Sequence, residues 1–154
     1  MPTKKQKKNP SIKIIKITTD SDMKKAFFIR EEVFMKEQRV SREDEYDGLD
    51  EESFHFLAIY DTVDCGTARW RVSENKIKLE RFAVLPKYRN KGVATELIDF
   101  VLKDIISNKP DSVSHACLHA QVDVIALYDK FGFSTKGEEF IECDIPHVYM
   151  ERKL

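Results

Sequence analysis

Leu79-Glu80-Arg81-Phe82-Ala83-Val84-Leu85-Pro86-Lys87-Tyr88-Arg89-Asn90-Lys91-Gly92-Val93-Ala94 is the stretch on which the fold of this chain turns. Its first six residues read as a buried strand, and Pro86 ends it because proline brings no N–H to a ladder. A basic turn with a single glycine follows. From there Val93, Ala94, Leu97, Ile98, Val101, Leu102, Ile105 and Ile106 recur at helical spacing without a break. A strand that feeds a basic, glycine-bearing turn at a helix start makes an anion site. The first N–H groups of the helix have no intrahelical partner, and the helix dipole adds partial positive charge. The expected ligand carries phosphate.

Upstream, Ile12, Ile14 and Ile17 among lysines suggest a half-buried first strand. Asp20 or Ser21 is placed to cap a helix whose apolar positions run from Met23 through Ala26, Phe27, Ile29 and Val33 to Phe34. An acidic loop comes next, with Glu43, Asp44, Glu45, Asp47, Asp50, Glu51 and Glu52 placing seven carboxylates in ten residues. Setting Gly48 at the sixth position of an EF-hand loop would put Phe54 at the twelfth, where a bidentate Glu is required, so calcium is rejected. The loop reads as solvated, with attraction of a cationic ligand as the sharper alternative. Phe54–Tyr60, Thr67–Val72 and Lys76–Val84 read as three strands, with turns at 62–66 and 73–75.

Downstream, Asn108-Lys109-Pro110-Asp111 ends the long helix and Val113–Ala120 forms the next strand. A helix from about Val122 to Phe131 should end at Gly132, in a position suited to a left-handed backbone. Last strands are expected around Phe133–Lys136 and His147–Arg152. The order is therefore β-α-β-β-β-α-β-α-β-β.

The whole fits one domain over 11–154, preceded by a basic arm over 1–10 that carries Lys4, Lys5, Lys7 and Lys8 and reads as a solvated tail. Net charge is −1, so no global field favours nucleic acid or an anionic membrane. No apolar run approaches a bilayer span, and no apolar segment follows the basic N-terminus as a secretory signal requires. Cys65, Cys117 and Cys143 are odd in number and far apart. This argues against a disulfide framework or a metal cage and fits a cytoplasmic protein without a metal site.

The turn lacks G-x-x-x-x-G-K-[ST], which excludes a P-loop, and it lacks the G-x-G-x-x-G of a dinucleotide fold. What remains is Arg89-x-x-Gly92-x-Ala94 directly after a strand. Here the chain resembles the GNAT superfamily of acetyl-CoA-dependent N-acetyltransferases, whose pyrophosphate signature is Arg/Gln-x-x-Gly-x-Gly/Ala after the fourth strand. A second segment agrees: His119-Ala120-Gln121 at a strand end, followed by Tyr128-x-x-x-Gly132-Phe133. Three further features are similar to a small ElaA-like bacterial subgroup. They are Arg30-x-x-Val33-Phe34-x-x-Glu37-Gln38, the Asp44/Asp47/Asp50 loop, and Phe140-x-Glu142-x-x-Ile145-Pro146-His147-x-x-Met150.

The resemblance implies an α/β (α+β) acyltransferase fold, with a mixed, mostly antiparallel sheet of six or seven strands flanked by about four helices. It implies that acetyl-CoA lies along the backbone of Phe82, Ala83 and Val84, with its pyrophosphate on the amides of Arg89, Asn90, Lys91, Gly92, Val93 and Ala94. Tyr128 is the implied acid for the departing thiolate. The base for the amine is open between His147 and His119, with Glu80 as an alternative acting directly or through water. Gln121 is a candidate for contact with cofactor or acceptor. Arg30, Glu37 and Gln38 are expected to shape the acceptor entrance. His55 alternates with Phe54 and Phe56, faces the sheet's other side and carries no expected role.

The implied reaction moves acetyl from acetyl-CoA to a primary amine by direct attack in a ternary complex. A non-catalytic acyl-CoA-binding module on the same fold is the alternative. The partners are acetyl-CoA and a small amine, with no nucleic acid or membrane, and a homodimer is allowed.

Overall fold

The structure is a computed structural model and describes residues 10–154, so nearly all of the basic arm lies outside the described residues. One seven-stranded sheet runs in the order β1-β2-β3-β4-β5-β7-β6. Its strands are β1 (Ile12–Lys16), β2 (Phe54–Tyr60), β3 (Val63–Ser73), β4 (Lys76–Val84), β5 (His115–Gln121), β6 (Ser134–Glu142) and β7 (Ile145–Lys153). Four α-helices accompany it: α1 (Asp20–Arg30), α2 (Arg42–Glu45), α3 (Val93–Asn108) and α4 (Ile125–Asp129). Every neighbouring pair is antiparallel except β4 and β5, whose parallel pairing needs the α3 crossover.

Alternation along the strands sends side chains to two faces, and each face has its own cover. On one, α3 buries Leu97, Ile98, Val101 and Ile105 against Phe56, Trp70, Ile77, Leu79, Leu118 and Met150. On the other, Ile29 of α1 and Val33 just beyond it pack against Leu57 and Ala83. No helix of the described residues is long and apolar enough to cross a membrane.

Several local expectations shift. Thr19, rather than Asp20 or Ser21, caps α1, its hydroxyl accepting from the Asp22 amide at 3.1 Å. The first helix runs past Phe34 as its apolar positions indicate, but over Glu31–Glu37 it is π-helical, closed by the Gln38 amide donating to the Val33 carbonyl at 3.0 Å. The acidic stretch is not all loop, since Ser41 caps the short helix α2 inside it. The expected helix from Val122 is a 3₁₀ turn (Val122–Val124) followed by the short α4. Gly132 follows in the left-handed region with φ 84°, as its place in the sequence suggests. The β3–β4 and β6–β7 hairpins turn on Glu74-Asn75 and Cys143-Asp144. Both residues of each pair have positive φ, which is the backbone that tight two-residue hairpins demand. Those turns let β6 and β7 run to nine residues each, longer than their apolar pattern indicates.

Candidate active site

The site is a split in the sheet. β4 and β5 pair only at Ile77↔Ala116 and Lys78↔Cys117, although β4 runs on to Val84 and β5 to Gln121. Beyond Lys78 the facing edges of the two strands are unpaired among the described residues. The cause lies in β4. Between the pairs Arg69↔Glu80 and Thr67↔Ala83, Arg81 and Phe82 oppose the single residue Ala68, and Arg81 sits at φ 59°. Such a bulge bends its strand and increases its twist. A cavity of about 950 Å³ fills the resulting wedge. It is large enough for an extended organic substrate.

One end of the wedge is the basic turn. Gly92 is at φ 86° and immediately precedes the first residue of α3, and a Cβ on it would approach only Ile12 Cδ1, at 3.8 Å. The requirement for glycine is therefore conformational rather than steric. The amides of the first turn open toward the cavity wall formed by Asn90, Gly92, Val93 and Ala94. The Arg89 side chain is engaged elsewhere. Its Nε donates to the Val84 carbonyl at 2.9 Å, and its guanidinium forks onto Glu37, whose carboxyl it holds below the usual range. The adjacent Gln38 accepts from the Gln121 side-chain amide at 3.0 Å. Two consecutive residues of the π-helical end thus strap both walls of the wedge, Glu37 to the turn after β4 and Gln38 to the end of β5.

Tyr128 lines the wedge and is only 7% exposed. Its ring meets Phe82 and Phe133 edge-on, and its hydroxyl has no hydrogen-bond partner among the described residues. Burial pushes this phenol well above its ordinary range, so it remains a proton donor at any physiological pH.

The acidic stretch is only in part the solvated loop read from the sequence, for Glu43, Asp44, Glu51 and Glu52 are exposed. Glu45, Asp47 and Asp50 turn inward onto arginines. Arg30 Nε meets Glu45 at 2.5 Å and its Nη1 meets Asp50 at 2.7 Å, while Arg69 reaches Asp47, Asp50 and Glu80 at 2.6–2.7 Å. Arg81 adds Glu45 and Asp47 at 3.2 and 3.3 Å. Arg30 and Arg69 are fully buried, and this network carries the 42–53 segment over β3 and β4. Arg69 and Arg71 had no assigned role in the sequence. The signal for them was charge balance: carboxylates that fold back onto the sheet need cations, and arginines flanking the core residue Trp70 on a strand supply them.

Glu80 is one node of this network, hydrogen-bonded by both Arg69 and Arg71, with Lys78 3.3 Å away. Burial alone would raise its carboxyl, but Arg71 and Arg69 hold it at about 2. A carboxylate so stabilised is a poor proton acceptor for an amine. Its geometry is that of an anchor, which weighs against the base role expected of it. His55 is likewise structural, with Nε2 2.8 Å from the Asp50 carbonyl, and burial lowers its pKa.

The two histidines named as candidate bases, His119 and His147, lie together. The register pairs His119 with Tyr149, Gln121 with His147 and Phe140 with His147, which puts all five on one face of the β5-β7-β6 corner. His147 is 7% exposed and stacks on Phe140 at 6.0 Å. Its Nδ1 lies 2.6 Å from the Ile145 carbonyl. A carbonyl only accepts, so Nδ1 carries the proton and Nε2 of the neutral ring keeps its lone pair. That lone pair is the feature a base needs. His119 lines the same cavity but its Nδ1 is committed to Glu142 at 3.0 Å.

Residues 16–154 match the model of the acetyltransferase (GNAT) domain. A Bacillus subtilis protein named as an acetyltransferase is 38% identical over 141 residues, covering 90% of this chain and 94% of its own length. The crystal structure of Escherichia coli ElaA aligns with a TM-score of 0.79 at 25% identity, covering 93% of this chain and 99% of that one. A GNAT acetyltransferase from Elizabethkingia anophelis, solved with acetyl-CoA bound, shares the fold at a TM-score of 0.70 and 17% identity, covering 96% of this chain and 100% of its own. With the split sheet, the glycine turn and the family match in agreement, the chain belongs to the GNAT superfamily of N-acetyltransferases.

Proposed function

We propose that this enzyme transfers the acetyl group of acetyl-CoA to a primary amine, with both substrates held together in the wedge between β4 and β5. The observation that carries this reading is the wedge itself. An unpaired strand edge at Phe82–Val84 leads from a helix start with free amides to a cavity that Tyr128 and His147 both line. The free edge offers main-chain groups to a pantetheine arm, which binds as an added strand would. The amides of residues 90–94 offer donors to a pyrophosphate, whereas the Arg89 amide already donates to the Pro86 carbonyl at 3.3 Å and its side chain holds the turn closed through Glu37. A ligand bound along this path fits the neighbours of known content, one of which holds acetyl-CoA.

Acetyl-CoA supplies a thioester whose acyl carbon the amine attacks as the carbon–sulfur bond breaks. The chain's residues move the protons. His147 Nε2 takes one from the attacking nitrogen, and the Tyr128 hydroxyl gives one to the departing sulfur. Gln121, whose amide is already pinned by Gln38, borders both substrates. The three thiols are free, which supports a reducing, cytoplasmic setting.

The test is a screen of primary amines with purified protein and acetyl-CoA, reading release of the CoA thiol. Turnover that depends on both substrates supports the reading. Acetyl-CoA binding without thiol release across aliphatic, sugar and amino-acid amines would favour a binding module instead.

A further inference from the structure

The carboxylate of Glu142 stands on the same sheet face as His147, and no step so far uses it. Its Oε1 accepts from His119 Nδ1 at 3.0 Å, and its Oε2 lies 3.8 Å from His147 Nε2. The groups facing it are His119 from β5, His147 from β7 and Lys78 from β4, and the hydrogen bond from His119 is the main reason its carboxyl lies below the usual range. It is therefore an anion at neutral pH, and its side chain is 44% exposed where it borders the cavity.

Unlike Glu45, Asp47, Asp50 and Glu80, this carboxylate has no arginine partner among the described residues. One of its oxygens is fixed by His119, and the other faces a lone pair across a gap. Two acceptors 3.8 Å apart, one anionic and one a neutral imidazole nitrogen, suit a group with several N–H donors and a positive charge. An alkylammonium is such a group. Phe140, stacked on His147 and edge-on to His119, backs the two imidazoles, and Ile145 lines the cavity beside them as an apolar surface for the carbon attached to the nitrogen.

We infer that Glu142 and His147 together form the acceptor's ammonium subsite, and that Glu142 selects amines that arrive as cations. The inference rests on His147 as the base of the proposed acetyl transfer. The ammonium first donates one hydrogen bond to Glu142 Oε2 and another to His147 Nε2. The N–H bond to Nε2 then breaks and its proton stays on the imidazole. The electron pair left on nitrogen attacks the acyl carbon, the carbon–sulfur bond breaks as the Tyr128 proton goes to sulfur, and the second proton the nitrogen must lose passes to the Tyr128 oxygen. Glu142 stabilises the imidazolium so formed without itself taking the proton. His119 is a positioning residue that keeps the Glu142 carboxylate from swinging into solvent.

The experiment compares two acceptors in Glu142→Gln and the native enzyme: n-butylamine, a cation at neutral pH, and hydroxylamine, which is uncharged there. The ratio of kcat/KM for n-butylamine over hydroxylamine is expected to fall at least about tenfold, on the scale of a lost hydrogen bond to a charged group, with the loss mainly in the KM for n-butylamine. Loss of both acceptors in equal proportion would mean a structural role, and an unchanged ratio would mean that the carboxylate does not meet the substrate. Either result overturns the inference. His147→Gln separates this from the underlying reading. If that variant keeps native kcat the base assignment fails, whereas a loss of kcat in it beside an unchanged ratio in Glu142→Gln removes only the ammonium subsite.

Discussion

Tyr128 and Glu80 show how burial of similar depth gives opposite chemistry. Tyr128 is surrounded by Phe82 and Phe133 with no charge to stabilise a phenolate, so it keeps its proton and can only donate. Glu80 is surrounded by Arg69 and Arg71, so it loses its proton and holds the charge. Tyr128→Phe removes the donor and little volume. Because a CoA thiolate is a fair leaving group, kcat is expected to fall at the low end of what general acids supply, about 10- to 100-fold. The Kd for acetyl-CoA should stay within about twofold. Steady-state kinetics beside a calorimetric titration measure the two separately, and an unchanged kcat removes the acid role.

Elements came out of the sequence in proportion to their local periodicity. The 3.6-residue pattern of α3, the run of β2 and the stop at Pro86 were legible because each rests on side chains near in sequence. The π-helical widening of Glu31–Glu37 was not, because it answers to partners far along the chain: Glu37 to Arg89 and Gln38 to Gln121. The inward turn of Glu45, Asp47 and Asp50 was hidden for the same reason, since their partners Arg30 and Arg69 lie 15 to 22 residues away. Of the proposed site, the glycine turn and the buried Tyr128 that line the wedge were readable from Arg89-x-x-Gly92-x-Ala94 and from Tyr128-x-x-x-Gly132-Phe133. His119 and His147 were named as candidates, but their meeting with Glu142 was not readable, because it depends on the β5-β7-β6 order, which no short spacing encodes. The arginine network predicts a mutational outcome at this scale. Arg69→Met leaves Asp47, Asp50 and Glu80 without their shared cation, and breaking a buried pair in this way costs about 3–5 kcal/mol. Denaturant unfolding should show that loss, together with easier proteolysis within residues 42–53.

For the molecule as a whole, the same network sets the acid limit of stability. Asp47 and Glu80 both sit at about 2, against ordinary values of 3.8 and 4.5, because Arg69, the Leu49 amide and Arg81 at Asp47, and Arg71 and Arg69 at Glu80, outweigh the upward push of burial. A carboxyl lowered on folding contributes stability above its unfolded value and loses it as pH falls through the folded one. The melting temperature should therefore drop steeply between about pH 5 and pH 2. In Arg69→Met that slope should flatten, and a native slope in the variant would place the acid sensitivity elsewhere. At neutral pH Asp47, Asp50 and Glu80 are charged, so stability there reports ligand binding without interference from these groups.

The central claim is that the wedge between β4 and β5 is built for acetyl-CoA, and thermal unfolding at pH 7.5 with and without that substrate tests it most directly. A ligand at 100 times its Kd that binds only the folded state adds about 2.7 kcal/mol. For a domain of this size, that is expected to raise Tm by roughly 5–10 °C. A rise of that order with acetyl-CoA, and none with acetate alone, is the predicted result. An unchanged Tm at millimolar acetyl-CoA would contradict the account.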